Sequence, residues 1–180
     1  MYRLYMKHLM LYTKKRSGLL QALFLFMVLG ALASCDKDEP FDPIKQRETD
    51  NRLILEYMAA NNVDSSTVTR TNSGLYYQLL EAGAGARVES GDDVEVKYKG
   101  WYLNGTEFDS NYDSSAPFML KVGAQQVIPG WDEGLQLMSE GEKARLYIPS
   151  RLAYGPNPRY GSPIPANSVL IFDVEIVDIK

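Results

Sequence analysis

The chemistry open to this chain is limited by its reactive side chains. Its one histidine, His8, and its one cysteine, Cys35, both lie within the first 35 of 180 residues. Later residues offer no imidazole and no thiol, which excludes Ser-His-acid and Cys-His catalysis and zinc sites built from histidine or cysteine. Carboxyl groups, phenols and large apolar rings are among the groups that remain for a site further along, and Asp109, Tyr154 and Trp131 are examples.

Two patterns that could bind a cofactor are incomplete. A segment that starts at Asp109 begins like a calcium loop, but Ser114 stands where the turn glycine belongs and Leu120 where the bidentate glutamate belongs. The Gly-Ala-Gly segment at 83–85 lacks the third glycine of a dinucleotide fingerprint, because Val88 occupies its place. We therefore expect no metal and no other cofactor.

Trp131 lies in the stretch 127–135, between a Pro-Gly pair and two acidic residues. Trp131, Leu135 and Met138 recur at i, i+4 and i+7, and Gly141 follows, which predicts a short helix that buries the indole. The same ring could instead form the floor of a pocket. The residues alone leave both interpretations open.

The elements around this helix are predicted to be strands. Val94, Val96 and Tyr98 alternate with charged residues, which indicates a half-buried antiparallel strand, and the Asn-Gly pair at 104–105 predicts a hairpin turn after it. Similar alternation predicts strands at 117–122, 143–149 and 169–179. The pattern favours an α+β fold, with about five antiparallel strands and one short helix packed on the sheet.

Residues 1–34 have the features of a bacterial lipoprotein signal peptide. Three basic residues at 14–16 precede an apolar run at 19–32 that is short for a membrane-spanning helix. The segment Leu32-Ala33-Ser34-Cys35 resembles the lipobox, in which the cysteine is acylated and the chain is cut just before it. We expect lipidation of Cys35, and through it attachment to a membrane; a retained membrane anchor is the alternative.

Removal of this leader would leave 14 basic and 23 acidic residues, a formal charge of −9. That balance argues against a nucleic-acid partner, because phosphates require a basic surface. Residues 35–46 are predicted to be an acidic tether; an acidic run directly after a lipidated cysteine also resembles a surface-export signal. We expect a cell-envelope lipoprotein, of the outer membrane, that faces either the periplasm or the cell surface.

Residues 47–72 are predicted to be an N-terminal helix followed by a linker. Apolar side chains recur at one-turn spacing over 47–61, behind Thr49 and Asp50 as candidate caps. The helix could pack on the following domain or pair with a second chain. Docking is favoured because about four turns are short for a stable dimerisation stalk, but the oligomeric state stays open.

The remaining segment, 73–180, resembles FKBP-type peptidyl-prolyl cis-trans isomerases. The resemblance is carried by an ordered set of short motifs: Val96-Lys97-Tyr98-Lys99-Gly100, Gly105-Thr106-Glu107-Phe108-Asp109-Ser110, Val127-Ile128-Pro129-Gly130-Trp131, Ala153-Tyr154-Gly155, Ile164-Pro165 and Leu170-Ile171-Phe172-Asp173-Val174-Glu175. It implies a five- to six-stranded antiparallel sheet wrapped around one short helix.

The resemblance also implies a site. The residues assigned to catalysis are Asp109, Tyr154, Phe108 and Tyr98, and those assigned to substrate binding are Phe118, Val127, Ile128, Trp131, Ile164 and Phe172. The implied activity is rotation about the peptide bond that precedes proline in exported polypeptides, and macrolide FKBP inhibitors are possible ligands. The alternative is a module that binds proline peptides or acts as a chaperone with little turnover.

Overall fold

The computed structural model describes residues 40–180, of which Asp42–Lys180 form one compact unit. The predicted signal peptide and Cys35 lie outside the described residues. Within the described part, no helix combines the length and the apolar character needed to cross a membrane.

The described chain contains two α-helices and one antiparallel sheet. In chain order the elements are α1 (Pro43–Ala60), β1 (Val68–Arg70), β2 (Tyr76–Glu81), β3 (Asp93–Tyr102), β4 (Glu107–Ser110), β5 (Phe118–Lys121), α2 (Pro129–Leu135), β6 (Lys143–Ile148) and β7 (Leu170–Ile179). The strand order is β1-β2-β6-β7-β3-β4, and β5 pairs with β3. The α+β prediction is confirmed.

The sheet has seven strands rather than the five or six expected. The additional strand β1 lies in the segment predicted to be a linker, where it pairs with β2 from Val68 to Arg70. Three residues are too few to show the alternation of apolar and polar side chains that predicts a strand. The strand β1 forms because the backbone groups at the edge of β2 are available for hydrogen bonds.

The central strand β7 separates two cores. Its inner side chains, including Phe172 and Val174, pack in the main core with α2, while Ile171 packs in a second core on the opposite face of the sheet. Successive side chains of a strand point to opposite faces, so a sheet that is covered on both sides buries nearly every position of such a strand.

Helix α1 covers the second core and begins four residues before its predicted start. The Asp42 carboxylate accepts hydrogen bonds from the Ile44 and Lys45 amides at 2.8 and 3.2 Å, and Pro43 opens the first turn. The predicted caps, Thr49 and Asp50, are therefore interior positions. The true start was missed because its first turn is exposed and has no apolar periodicity.

The docking of α1 uses Ile54 and Met58, which are buried with Tyr76, Tyr147 and Ile171. The helix therefore packs on the sheet of its own chain, as its apolar spacing favoured. This contact ties a segment that precedes the sheet in sequence to strands β2, β6 and β7.

Helix α2 lies unusually close to strand β6. A Cβ atom at Gly130 would stand 2.5 Å from Ile148 Cγ2, and one at Gly134 would stand 2.6 Å from Leu146 Cδ1. A Cβ atom at either position would force the buried Ile148 or Leu146 side chain to shift, so the two glycines allow the close approach of helix to strand. The Pro-Gly pair of the 127–135 stretch starts the helix and also allows it to rest on the sheet.

Candidate active site

The centre of the site is a set of aromatic rings packed edge to face around Trp131. The indole is 4% exposed and lies 5.1 Å from the Tyr98 ring at 82° and 5.3 Å from the Phe172 ring at 88°. Its buried N–H has no hydrogen-bond acceptor in the part of the chain that the structure describes. The position of the indole is therefore fixed by ring packing, which favours such perpendicular pairs.

A cavity of about 190 Å³ opens beside these rings. Its lining consists of Tyr98, Phe108, Asp109, Phe118, Gln126, Val127, Ile128, Trp131, Tyr154 and Phe172. Pockets for drug-sized ligands measure about 300–1,000 Å³, so this space suits a single side chain rather than a large molecule. The walls are mainly aromatic and aliphatic, with polar groups at the rim.

One wall depends on a β-bulge in strand β4. Gly100 of β3 pairs with Asp109 and Trp101 pairs with Glu107, which leaves Phe108 without a partner in the register. In a regular strand two adjacent side chains point to opposite faces, but a bulge redirects one of them. The bulge thus explains how Phe108 and Asp109, which are neighbours in sequence, both line the cavity.

Gly100 makes room for the two phenylalanine rings of this wall. A Cβ atom at Gly100 would stand 2.7 Å from Phe172 Cε1 and 2.8 Å from Phe108 Cζ. The Phe108 and Phe172 rings themselves meet edge to face, with centroids 5.5 Å apart. Packing of both rings over β3 therefore requires that position 100 have no side chain.

The polar rim contains a hydrogen-bonded phenol and carboxyl group. The Tyr98 hydroxyl donates to Asp109 Oδ2 at 2.9 Å. Burial raises the pKa of Tyr98 to about 12, and the hydrogen bond to Asp109 and the charge of that carboxylate add to the effect. Tyr98 is therefore protonated at neutral pH and holds the Asp109 side chain in one orientation.

A second polar group at the rim is the backbone amide of Ile128. Ile128 caps α2 with an extended backbone, and its N–H meets no acceptor among the described residues. The preceding loop is held by Asp132, whose carboxylate accepts from the Gly123 and Gln125 amides, each at 3.0 Å. The loop therefore presents the free amide on a fixed backbone.

The structure brings together the predicted site residues with one exception. Ile164 is 5% exposed and packs in the main core, and it is not among the side chains that line the cavity. Gln126 lines the cavity although sequence reasoning did not select it; its side chain also accepts from the Lys121 amide. The only available signal for Gln126 was its place directly before the Val-Ile-Pro-Gly-Trp motif.

The chemical capacity of the cavity follows from its groups. It offers an apolar floor, the free Ile128 amide and the half-exposed Tyr154 hydroxyl as donors, and the Asp109 carboxyl group as an acceptor. No cluster of three metal-binding side chains occurs in residues 40–180. Such a site can bind and orient a small apolar ring that carries adjacent carbonyl groups.

A sequence model of the FKBP-type peptidyl-prolyl cis-trans isomerase family matches residues 85–177, just over half of the chain. The chain belongs to the FKBP family. The match includes every residue that lines the cavity, so the aromatic site described above lies in the family's own domain.

Individual FKBP relatives extend the comparison beyond this segment. The chain is 47% identical to the isomerase FkpA of Aeromonas hydrophila over 125 residues, 69% of this chain and 45% of the relative. It is 43% identical to outer membrane protein MIP of Legionella longbeachae over 135 residues, 75% of this chain and 57% of the relative. The chain thus spans about half the length of these curated relatives.

A solved structure agrees with the fold. The crystal structure of FkpA from Escherichia coli matches with a TM-score of 0.63 and 36% sequence identity, over 91% of this chain and 71% of that chain. The similarity therefore includes residues before the FKBP domain as well as the sheet and cavity.

The crowding at Gly100 gives a testable prediction. In Gly100→Ala, the new methyl group should displace Phe108 and Phe172 and lower the free energy of unfolding by about 1–3 kcal/mol, the usual cost of overpacking. The matched control is Gly85→Ala, which is also overpacked, because the new Cβ would stand 2.6 Å from Glu140 Cβ, but which lies outside the cavity lining. Urea titration measures stability, and the aromatic signals in NMR spectra report the rings.

We expect ring signals to shift in Gly100→Ala and to remain in place in Gly85→Ala. Unchanged Phe108 and Phe172 signals in Gly100→Ala would contradict the claim that the glycine positions this wall.

Proposed function

We propose that the protein is a peptidyl-prolyl cis-trans isomerase that acts on proline-containing segments of exported polypeptides. The observation that carries the proposal is the aromatic cavity on Trp131, with the Tyr98–Asp109 pair and the free Ile128 amide at its rim. Membership of the FKBP family supports it.

The reaction suits a site without a nucleophile or an imidazole base. Rotation about the bond before proline must overcome a barrier of about 18–20 kcal/mol, because the planar amide loses resonance when it twists. No covalent bond forms or breaks. Catalysis therefore requires only that the protein bind the twisted amide more tightly than the planar one.

The cavity can provide this preference. The proline ring lies on the Trp131 indole between Phe108 and Phe172, with Phe118 and Val127 at the sides. A twisted amide has a less conjugated and less dipolar carbonyl group than a planar one. The free energy needed to twist the amide is therefore lower in an apolar cavity that excludes water than in bulk water.

Hydrogen bonds at the rim orient the peptide. The Ile128 amide and the Tyr154 hydroxyl donate to substrate carbonyl groups on either side of the proline. Asp109, held by Tyr98, polarises the rim close to the rotating bond. A tyrosine phenol is protonated at physiological pH, and the raised pKa of Tyr98 moves its deprotonation further from that range, so the phenol can donate to Asp109 throughout it.

The protein works, in this proposal, at the cell envelope as an acylated lipoprotein. Cleavage before Cys35 leaves the acidic tether between the lipid and helix α1, whose first residue is Pro43. The similarity to an outer membrane protein of Legionella longbeachae supports an envelope location. Macrolides are proposed inhibitors, of which only a prolyl-like ring enters the cavity while the rest of the molecule stays outside it.

The activity is tested by the cis-trans relaxation of a proline tetrapeptide with the full chain in detergent micelles. Phe108→Ala and Asp109→Ala should each lower kcat/KM by about tenfold or more, which corresponds to about 1.4 kcal/mol of lost transition-state stabilisation. The matched control is Asp113→Ala, which removes an exposed acid outside the cavity lining and should retain the parent rate.

A parent protein that does not accelerate relaxation above the blank would refute the isomerase proposal. If that protein nevertheless binds the tetrapeptide, the cavity is a binding module without turnover. An active parent with two fully active cavity variants would place catalysis elsewhere.

The lipid attachment has its own test. Cells that express the chain are grown with radiolabelled palmitate, and the protein is isolated and counted. We expect label in the parent and none in Cys35→Ala, because the acyl chain is attached through that residue. An unlabelled parent protein of mature size would contradict the lipoprotein proposal.

A further inference from the structure

Asp50 is a fully buried acidic residue of helix α1 that contacts the loop leading to the cavity. Its Oδ2 atom accepts from the Ser150 amide at 2.9 Å and from the Ser150 hydroxyl at 2.7 Å. Its Oδ1 atom accepts from Gln46 Nε2 at 2.7 Å. Asp50 and Ser150 are 0% and 1% exposed, so these bonds are shielded from water.

Helix docking alone does not require an acid at this position. The other buried side chains of α1, Ile54 and Met58, pack in the second core and supply the apolar contact. A polar group costs free energy on burial unless its hydrogen bonds are made, and an apolar residue would avoid that cost. What Asp50 adds over an apolar residue is a fixed position for Ser150.

Ser150 in turn holds the backbone on both sides of Tyr154. Its carbonyl oxygen accepts from the Ala153 amide at 3.0 Å and from the Gly155 amide at 2.9 Å. Tyr154 thus lies between two amides that are bound to one carbonyl group. Asp50 binds the amide and the hydroxyl of Ser150, and the carbonyl group of Ser150 binds the two amides beside Tyr154. These three polar groups of Ser150 therefore link α1 to the backbone around Tyr154.

We propose that Asp50 is a positioning residue for catalysis, which acts through Ser150 to hold the Tyr154 hydroxyl over the cavity. The inference rests on the proposed isomerase function, in which Tyr154 contacts the substrate. It assigns helix α1 a role in the site, although α1 precedes the segment matched by the family model and does not line the cavity.

The activity test compares Asp50→Ala with the parent, as the full chain in detergent micelles, per folded molecule. Misplacement of a substrate-orienting group by about 1 Å can cost up to about 100-fold, and we expect kcat/KM to fall at least about fivefold. Asp50→Asn keeps a side-chain oxygen that can accept from both Ser150 donors, and it should stay within about twofold of the parent.

A matched control separates positioning from loss of stability. Met58→Ala also removes a buried side chain of α1, but two turns beyond Asp50 and in the second core. It should destabilise the protein while leaving kcat/KM per folded molecule unchanged.

A double-mutant cycle with Tyr154→Phe tests the route of the effect. If Asp50 acts through the Tyr154 hydroxyl, then Asp50→Ala should cost little further activity once that hydroxyl is gone, since residues of one network are not additive. Fully additive losses would overturn the proposed route.

Amide hydrogen exchange gives a readout that does not depend on activity. In Asp50→Ala the Ala153 and Gly155 amides should exchange faster than in the parent, whereas the Trp131 amide, bound to the Ile128 carbonyl, should not change. Unchanged exchange at Ala153 and Gly155 would refute the inference. If the parent itself proves inactive, the isomerase proposal fails, and these exchange rates still decide whether Asp50 orders the loop.

Ser150→Ala provides the second variant if Asp50→Ala does not fold. It removes one of the two bonds to Oδ2 and retains the backbone amide. We expect partial loss of kcat/KM and partial loss of protection at Gly155. Parent values for both quantities would overturn the proposal.

Discussion

The packing of three rings around one indole is the constraint on which the rest of the site depends. The Trp131 indole N–H has no hydrogen-bond acceptor among residues 40–180, so the place of the indole is set by its contacts with the Tyr98, Phe118 and Phe172 rings. These contacts require helix α2 to rest on β6, which Gly130 permits, and require space above β3, which Gly100 provides. The cavity is the space beside this aromatic cluster that the side chains of the described residues leave open.

The strands and helix that carry the rings could be predicted from the sequence because their patterns are local. Alternation along β3, β6 and β7 located these strands to within a residue or two, and the spacing of Trp131 and Leu135 located α2. The predicted end of α2 was wrong: the helix ends at Leu135, so Met138 and Gly141 lie beyond it, and Met138 is buried in the main core from the segment that follows. The resemblance to the FKBP family then selected the cavity residues. Periodicity alone would have assigned Trp131 to the core; in the structure it is both a buried core residue and part of the cavity lining.

What the sequence did not reveal depends on contacts between distant segments. The bulge that turns Phe108 toward the cavity is a property of the register between β3 and β4, not of either strand. Strand β1 forms only through its pairing with the edge of β2. Ile164 lies outside the cavity lining because its loop packs it against the main core. Asp50, which the sequence predicts to be a helix cap, instead accepts hydrogen bonds from Ser150, a residue 100 positions away in the chain.

The two faces of the sheet contribute to the site in different ways. The face under α2 builds the cavity, and the face under α1 buries the second core and anchors the loop that carries Tyr154. Burial on both faces leaves the rings of the cavity on a rigid support. Preorganisation of this kind is what the proposed non-covalent catalysis requires, because the binding site itself must favour the twisted amide.

The central claim is that the aromatic cavity holds the proline ring of a substrate, and intermolecular NOEs test it most directly. A proline tetrapeptide is added to the isotope-labelled protein, and contacts from the peptide to protein rings are recorded. The account predicts NOEs from the proline ring protons to Trp131 and Phe172, which are lost when alanine replaces proline in the peptide. Proline contacts confined to residues outside the cavity, with none to these rings, would contradict it.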